Sequence, residues 1–253
     1  MIIKKIYKKI LSLIKRNKVH LSYSGPYSSW KIAEEKSVGI GSKYILQKVE
    51  KATKNVLNGK YLYERDGTNF NNFPKKYTLR TKLIEIGIKD KVIVDFGGGL
   101  ASSFISNRDI LDGKVKKYVV VEQQNFCKVG NKISQIHNLP VDFLDTLDKV
   151  YFADIIIFSS VLQYIENWKE IIHKIFSLRP KFIIVDRQPF TFNKSEIFIQ
   201  ENDGYYKRKV SHPIYFINID EFKSNFKDYS IEETWLSDFD PDDYMGILFK
   251  LKE

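Results

Sequence analysis

One cysteine, Cys127, stands in a chain of 253 residues, so no internal disulfide can form and nothing points to an oxidising compartment. The expected location is cytoplasmic, and Cys127 is expected as a packed, inert thiol rather than a nucleophile. The four histidines, His20, His137, His173 and His212, are scattered and give no zinc-ligand spacing, so no metal site is expected. The chain lacks the phosphate loop G-x-x-x-x-G-K-[ST] and the nucleophile turn G-x-S-x-G. It has no internal repeat and no long linker of low complexity. What remains is a globular composition, 43% hydrophobic and 28% charged, long enough for one α/β domain with a full core and some decoration.

Acidic residues are missing from the first twenty positions, where Lys4, Lys5, Lys8, Lys9, Lys15, Arg16 and Lys18 stand. These seven account for most of the formal net charge of +10, and the remaining chain carries only +3. The body therefore lacks the electrostatic footprint of a nucleic-acid binder. Ile2, Ile3, Ile6, Ile10, Leu13 and Ile14 recur among the lysines at helical spacing. The lysines break the apolar run, which is neither a bilayer span nor a secretory signal. Residues 1–20 are expected to form a basic amphipathic helix. Either residues 1–18 lie peripherally on an anionic inner-membrane surface, or the helix packs on the domain or on a partner.

Residues 21–90 read as a helical and loop extension covering the main domain. Positions 19–40 are loop-like, a helix is expected over 42–58, and Pro74 opens another that runs to about Gly87. From Lys91 the pattern alternates. Strands are expected near 91–96, 117–122, 140–144, 153–159 and 181–186, and helices near 102–111, 124–137 and 166–178. Such alternation implies a doubly wound, mostly parallel sheet covered on both faces. The runs Ile155-Ile156-Ile157-Phe158 and Phe182-Ile183-Ile184-Val185 suit strands buried on both sides. A helix near 220–226 and strands near 229–236 and 244–251, joined by a turn at 240–243, suggest an antiparallel edge. The catalytic domain is thus 91–253, with an insertion at about 187–218.

The most informative segment is Val92-Ile93-Val94-Asp95-Phe96-Gly97-Gly98-Gly99-Leu100-Ala101, a strand running into three glycines, with helical character from Ser102. Glycine has no Cβ and accepts positive φ, so a ligand can approach the backbone closely. Glu122 closes the next strand, 23 residues after Gly99, near the ~20-residue offset expected of a carboxylate that binds ribose hydroxyls. The pairing implies a nucleoside-containing cofactor. A dinucleotide oxidoreductase requires G-x-G-x-x-G, but the last position of that spacing holds Ser102.

The motif Asp95-Phe96-Gly97-Gly98-Gly99-Leu100-Ala101 resembles the first motif of class I S-adenosylmethionine-dependent methyltransferases, with Ala101 at the third glycine position of the turn. Glu122 matches that family's ribose-binding acid, and the segment from Asp154 to Ile165 resembles its fourth-strand segment. A narrower resemblance rests on Tyr27-x-x-Trp30, Tyr63-Glu64-Arg65-Asp66, Val121-Glu122-Gln123, Ser159-Ser160-Val161-Leu162-Gln163-Tyr164 and Asp186-Arg187-Gln188-Pro189-Phe190. These are similar to a bacterial methyltransferase family associated with surface-polysaccharide synthesis, including capsule. The resemblance implies a seven-stranded sheet, S-adenosylmethionine as cofactor, and a cofactor site of Asp95, Phe96, Gly97, Gly98, Gly99, Glu122, Gln123, Asp145, Ser159 and Ser160. Asp145 either reaches the adenine amino group or caps the helix that follows.

Open α/β sheets bind ligands beyond the carboxyl ends of their strands. That rule selects Ser159, Ser160, Gln163 and Tyr164 after the fourth strand and Asp186, Arg187 and Gln188 after the fifth. Asp186 and His212 are the candidate bases, Arg187 the candidate anchor for an anionic acceptor, and Tyr164 a further candidate catalytic group. Against these roles, Asp186-Arg187 can be a local ion pair, and His212 can simply cap the turn before Pro213. The aromatics of 190–216, among them Phe198, Tyr205, Tyr206 and Phe216, can stack on a sugar or pack a subdomain. The expected substrate is a small molecule or glycan, methylated at a sugar hydroxyl or at a phosphate or phosphoramidate-type group. A non-catalytic cofactor-binding scaffold of the polysaccharide machinery is the alternative outside enzymes.

Overall fold

The computed structural model describes residues 21–39, 42–74, 77–202, 210–237 and 244–253. The helix expected over 1–20, the turn at 240–243, and Tyr205 and Tyr206 lie outside the described residues. Positions 19–40, read from sequence as loop, contain strand β1 (Leu21–Tyr27) and helix α1 (Trp30–Lys36). Ser29 caps α1 by accepting the Ile32 N–H. Helix α2 (Ser42–Leu57), the hairpin of β2 (Tyr63–Arg65) and β3 (Thr68–Phe70), and helix α3 (Thr78–Ile86) complete the extension.

The alternation follows: β4 (Val92–Phe96), α4 (Ser102–Ser106), α5 (Arg108–Leu111), β5 (Lys117–Val121), α6 (Gln124–His137), β6 (Val141–Leu144), β7 (Ile155–Ser159), α7 (Trp168–Ser177) and β8 (Phe182–Thr191). The single helix expected over 102–111 is divided at Asn107. That side chain is buried, and its amide donates to the Ser103 carbonyl and to the Tyr77 hydroxyl. The chain closes with β9 (Glu196–Asn202), β10 (Val210–Asn218), α8 (Ile219–Ser224), β11 (Tyr229–Leu236) and β12 (Tyr244–Leu251).

Strands β6, β5, β4, β7 and β8 pair in that order, all parallel, and β12 joins β8 antiparallel, with β11 beyond it. The fold is α/β with a mixed sheet, and the antiparallel strand is not at its edge as expected. Burial explains the exchange. β12 has Ile247 and Phe249 fully buried and takes the inner position, while β11 exposes Glu232, Glu233 and Thr234. Charged residues on an outer strand discourage pairing with another chain.

The sheet is also wider than seven strands. β8 runs on past Asp186, pairs briefly with β10, and leads into an antiparallel unit of β10, β9 and β1. The expected insertion at 187–218 thus extends the sheet, with β1 of the extension at its rim. Apolar clusters cover both faces of the parallel part. One gathers Leu83, Phe104, Tyr118 and Ile157, the other Ile156, Ile172, Phe222 and Phe249. Each fully buried aliphatic or aromatic side chain contributes roughly 1.5–3 kcal/mol, which fixes the strands whose carboxyl ends present the candidate site residues.

Candidate active site

The glycine turn follows β4 directly. Gly97 and Gly99 take left-handed backbone at φ +72° and +60°, and Gly97 N–H donates to the Val121 carbonyl. A Cβ on Gly97 would lie 2.3 Å from Val161 Cγ2, and one on Gly98 would lie 2.6 Å from the Asp95 carboxylate. Over Gly99 the space is open, with only the Ser102 hydroxyl at 4.0 Å. Ala101 also takes left-handed backbone, at φ +66°, and is fully buried. Ser160 (φ +57°) and Arg187 (φ +55°) do the same after β7 and within β8. Non-glycine residues so held cost roughly 1 kcal/mol or more each, and strain of this kind collects at functional sites.

Asp95 is buried beneath the turn. Its Oδ2 accepts the Tyr118 hydroxyl at 2.9 Å, and its Oδ1 has no hydrogen-bond partner. Burial pushes its carboxyl up to about 6, against the lowering influence of the Tyr118 and Ser103 hydroxyls. Glu122, half-buried at the end of β5, accepts the Gln123 N–H at 2.7 Å. Its pKa is raised by burial and held back by the N–H groups of Gln123 and Gly99, so the turn and this carboxylate are linked. Cys127 is buried and directs its thiol to the Glu122 carbonyl at 3.1 Å, and burial raises its pKa.

Phe96 packs against Phe158 with ring centroids 5.6 Å apart, and the Gln123 side chain is exposed at the mouth. Asp145 accepts from Lys149 Nζ at 2.6 Å, which holds its carboxyl below the usual range. It is not the cap weighed in the sequence. Thr146 caps the single 3-10 turn Leu147–Lys149 by accepting the Asp148 N–H.

Beyond β7 and β8, Ser160 N–H donates to the Asp186 carbonyl at 2.8 Å. The Asp186 carboxylate accepts from Ser159 at 3.2 Å and from the Trp235 indole at 3.1 Å, with Arg187 Nε at 3.8 Å. Arg187 Nε also donates to the Ser159 hydroxyl at 3.3 Å. The ion pair weighed in the sequence is therefore present. Buried Gln163 donates to the Ser160 hydroxyl, leaving its Oε1 without a partner.

The antiparallel unit supplies the opposite wall. In its register Tyr23, Gln200 and His212 form one rung across three strands. Tyr164 joins that rung twice: its hydroxyl donates to Gln200 Oε1 at 3.2 Å, and its ring stands edge-on to His212 at 4.9 Å. The Tyr23 and Tyr244 hydroxyls lie 3.4 Å apart. His212 therefore sits within a strand rather than capping a turn. Burial lowers its imidazole to about 4, and Nδ1 has no partner. Phe198 and Phe216 pack edge to face on the same side of the unit as the rung.

Several groups here are not singled out by sequence reasoning. Glu64, within the quoted Tyr63-Glu64-Arg65-Asp66 motif, is buried and accepts the Ser102 hydroxyl and the Gly67 N–H. Burial pushes its carboxyl up to about 7. Arg65, Tyr118, Gln200 and Tyr244 carry no local motif beyond that. Among the described residues, no group of His, Cys, Asp or Glu is arranged to hold a metal ion, and no helix is long and apolar enough to cross a membrane.

No family model and no curated protein matches the chain. Solved structures do. The CcbJ methyltransferase from Streptomyces caelestis aligns with TM-score 0.53 at 9% identity, over 81% of this chain and 98% of its own. The N-terminal domain of EvdMO1, crystallised in the presence of SAH and D-fucose, aligns with TM-score 0.51 at 8% identity, over 85% and 98%. Magnesium protoporphyrin IX methyltransferase (ChlM) from Synechocystis PCC 6803, with bound SAH, aligns with TM-score 0.51 at 13% identity, over 88% and 92%. At these identities the likeness establishes the fold, which is that of class I methyltransferases.

Proposed function

We propose that this chain is an S-adenosylmethionine-dependent methyltransferase of a surface-polysaccharide component or its activated precursor. The observation that carries the reading is the glycine turn, with open space over Gly99, flanked by the unpaired Oδ1 of Asp95 and by the Glu122 carboxylate. This donor set fits the cofactor. The backbone N–H of Gly98 suits its carboxylate end, those of Gly97 and Gly99 being engaged by the Val121 carbonyl and Glu122; Asp95 suits its ammonium and Glu122 its ribose hydroxyls. Phe96, Gln123, Ser159 and Ser160 complete the mouth, and Asp145 would have to leave Lys149 to take part. When bound, the cofactor supplies an electrophilic methyl group on a sulfonium.

The chain's own residues then orient the acceptor and handle its proton. His212 is the candidate to accept a hydroxyl proton, since its Nδ1 has no hydrogen-bond partner; the burial that lowers its imidazole to about 4 also makes it a weaker base than an ordinary histidine. Tyr164 and Gln200 hold its position. Asp186, with both oxygens occupied, orients Ser159 and Arg187. The aromatic face of Tyr23, Phe198 and Phe216 supports a sugar acceptor, as does the motif resemblance, and D-fucose accompanies one structural neighbour. Residues 21–90 and the unit inserted at 187–218 act as the cover of the site.

The basic, periodic sequence of residues 1–18 supports peripheral contact with an anionic inner-membrane surface, where lipid-linked glycans are accessible. A dinucleotide oxidoreductase and a non-catalytic scaffold remain the competing readings. Incubating the full chain with methyl-labelled S-adenosylmethionine and nucleotide sugars, sugar phosphates and lipid-linked glycans tests the proposal. Label should pass to one of these acceptors and fail to do so with His212→Asn. Cofactor binding with no transfer to any of the panel favours the scaffold.

A further inference from the structure

Glu64 reaches the glycine turn from the extension, outside the sheet's own alternation of strand and helix. It stands in β2 and is only 3% exposed. Its Oε2 accepts the Gly67 N–H at 3.1 Å, and its Oε1 accepts the Ser102 hydroxyl. The Ser102 oxygen is in turn the one atom within 4 Å of the position a Cβ would take on Gly99, at 4.0 Å. The open space over Gly99 is therefore bordered by a hydroxyl whose proton is turned away from it, toward Glu64.

A hydroxyl that gives up its proton to one partner keeps two lone pairs for a donor on its other side. Here the direction of the proton is fixed by geometry. The Gly67 N–H can only donate, so it holds one oxygen of Glu64 and leaves the other to Ser102. Around Glu64, the hairpin supplies Arg65 and Asp66, which act on it in opposite directions, and Asn69 opposite it in the register. Helix α4 supplies Ser102, and Lys48 of α2 lies over Gly67. On the strand side of the turn, the Asp95 carboxylate lies against Gly98 with its Oδ1 unpartnered. Hydrogen-bond acceptors thus flank the turn on both sides, and the group they suit is a cation rich in donors.

We propose that Glu64 is a positioning residue for the cofactor: by taking the Ser102 proton it turns the Ser102 lone pairs onto the space over Gly99, where they accept from the ammonium of the cofactor's amino-acid end. The proposal rests on the S-adenosylmethionine reading and extends it, giving residues 21–90 a part in recognising the cofactor besides covering it. Glu64→Gln reverses the arrangement. Its carbonyl must stay with the Gly67 N–H, so its NH₂ faces Ser102 and donates to it. The Ser102 proton then points at the ammonium and opposes it.

The test is calorimetric titration of the full chain, Glu64→Gln, Ser102→Ala and the double variant with two ligands. One is S-adenosylhomocysteine; the other is 5′-methylthioadenosine, which keeps the nucleoside but lacks the amino-acid end. Each single substitution should weaken S-adenosylhomocysteine by about tenfold or more and 5′-methylthioadenosine by less than about twofold. The double variant should bind no more weakly than the worse single, because both changes act through one hydroxyl. Between pH 6 and pH 8 the parent's affinity for S-adenosylhomocysteine should rise as Glu64, raised by burial to about 7, loses its proton, and Glu64→Gln should lack that part of the rise. Equal losses for the two ligands overturn the proposal, because Glu64 then only shapes the site. Additive losses in the double variant, or the same pH dependence in parent and Glu64→Gln, also overturn it. If the parent binds S-adenosylhomocysteine and the substitutions leave it unaffected, this proposal alone fails. If the parent binds neither ligand, the S-adenosylmethionine reading fails and takes the proposal with it.

Discussion

The hydroxyl of Ser102 donates to the buried carboxylate of Glu64, tying the hairpin of the extension to the first residue of the helix after the glycine turn. Burial raises this carboxyl from 4.5 to about 7. A carboxyl raised on folding binds its proton more tightly in the native state. Its contribution is therefore fully present below 4.5 and lost as pH rises through about 7. Glu64→Gln imitates the protonated form at every pH. Its melting temperature should exceed the parent's by more at pH 8.5 than at pH 5, with a total difference of about 2–3 kcal/mol. A gap independent of pH contradicts this assignment.

Gly97 is the least replaceable residue of the turn. Gly97→Ala must place a methyl 2.3 Å from Val161 Cγ2 while keeping φ near +72°. The combined overpacking and backbone strain should cost about 2–4 kcal/mol by denaturant unfolding. Adding Val161→Ala should recover part of that loss, since it removes the clash but not the strain. No recovery in the double variant means that the contact with Val161 is not the cause.

Tyr118→Phe removes a hydroxyl that donates to Asp95 Oδ2 at 2.9 Å. Above the raised pKa of about 6 the carboxylate is charged and buried, and the loss should be about 1.5–3 kcal/mol. Below it the carboxyl is protonated and the loss should shrink. Unfolding at pH 5 and pH 8 compares the two. An equal cost at both means that Asp95 does not titrate between them.

His212 should remain neutral well below the ordinary histidine range, with an imidazole midpoint near 4 instead of 6.5 in a nuclear magnetic resonance titration. A histidine lowered on folding contributes stability that is present above 6.5 and lost as pH falls toward 4. With an acceptor in hand, His212→Asn should lower kcat by about 10²–10⁴. A midpoint near 6.5, or an unaffected kcat, removes His212 from the proton-transfer role.

The parallel half of the fold was legible because its signals are local. Ile155-Ile156-Ile157-Phe158 is a short, mostly β-branched run that suits a strand buried on both faces, and Asp95 before three glycines marks the turn by itself. The hairpin was legible too, but not which of its strands lies inside, because that depends on the neighbour β8 offers to β12. Strand β1 escaped the sequence reading. Ser22, Ser24, Gly25 and Pro26 give it no strand pattern, and it forms because β9 provides a partner edge. The same logic separates Glu122, a candidate selected by its offset from the turn, from Glu64, Tyr118 and Gln200. Their roles exist only once Ser102, Asp95 and Tyr164 are brought to them by tertiary packing.

The central claim, that the turn after β4 with Glu122 holds S-adenosylmethionine, is tested most directly by calorimetric titration of the parent chain and Glu122→Ala with that cofactor and with a nicotinamide dinucleotide. The account predicts binding of S-adenosylmethionine with a Kd in the micromolar range (~10⁻⁶ M), weakened in the variant by about 1.5–3 kcal/mol, or roughly ten- to a hundredfold, and no comparable binding of the dinucleotide. Equal affinity of the two proteins for S-adenosylmethionine, or tight binding of the dinucleotide in its place, would contradict it.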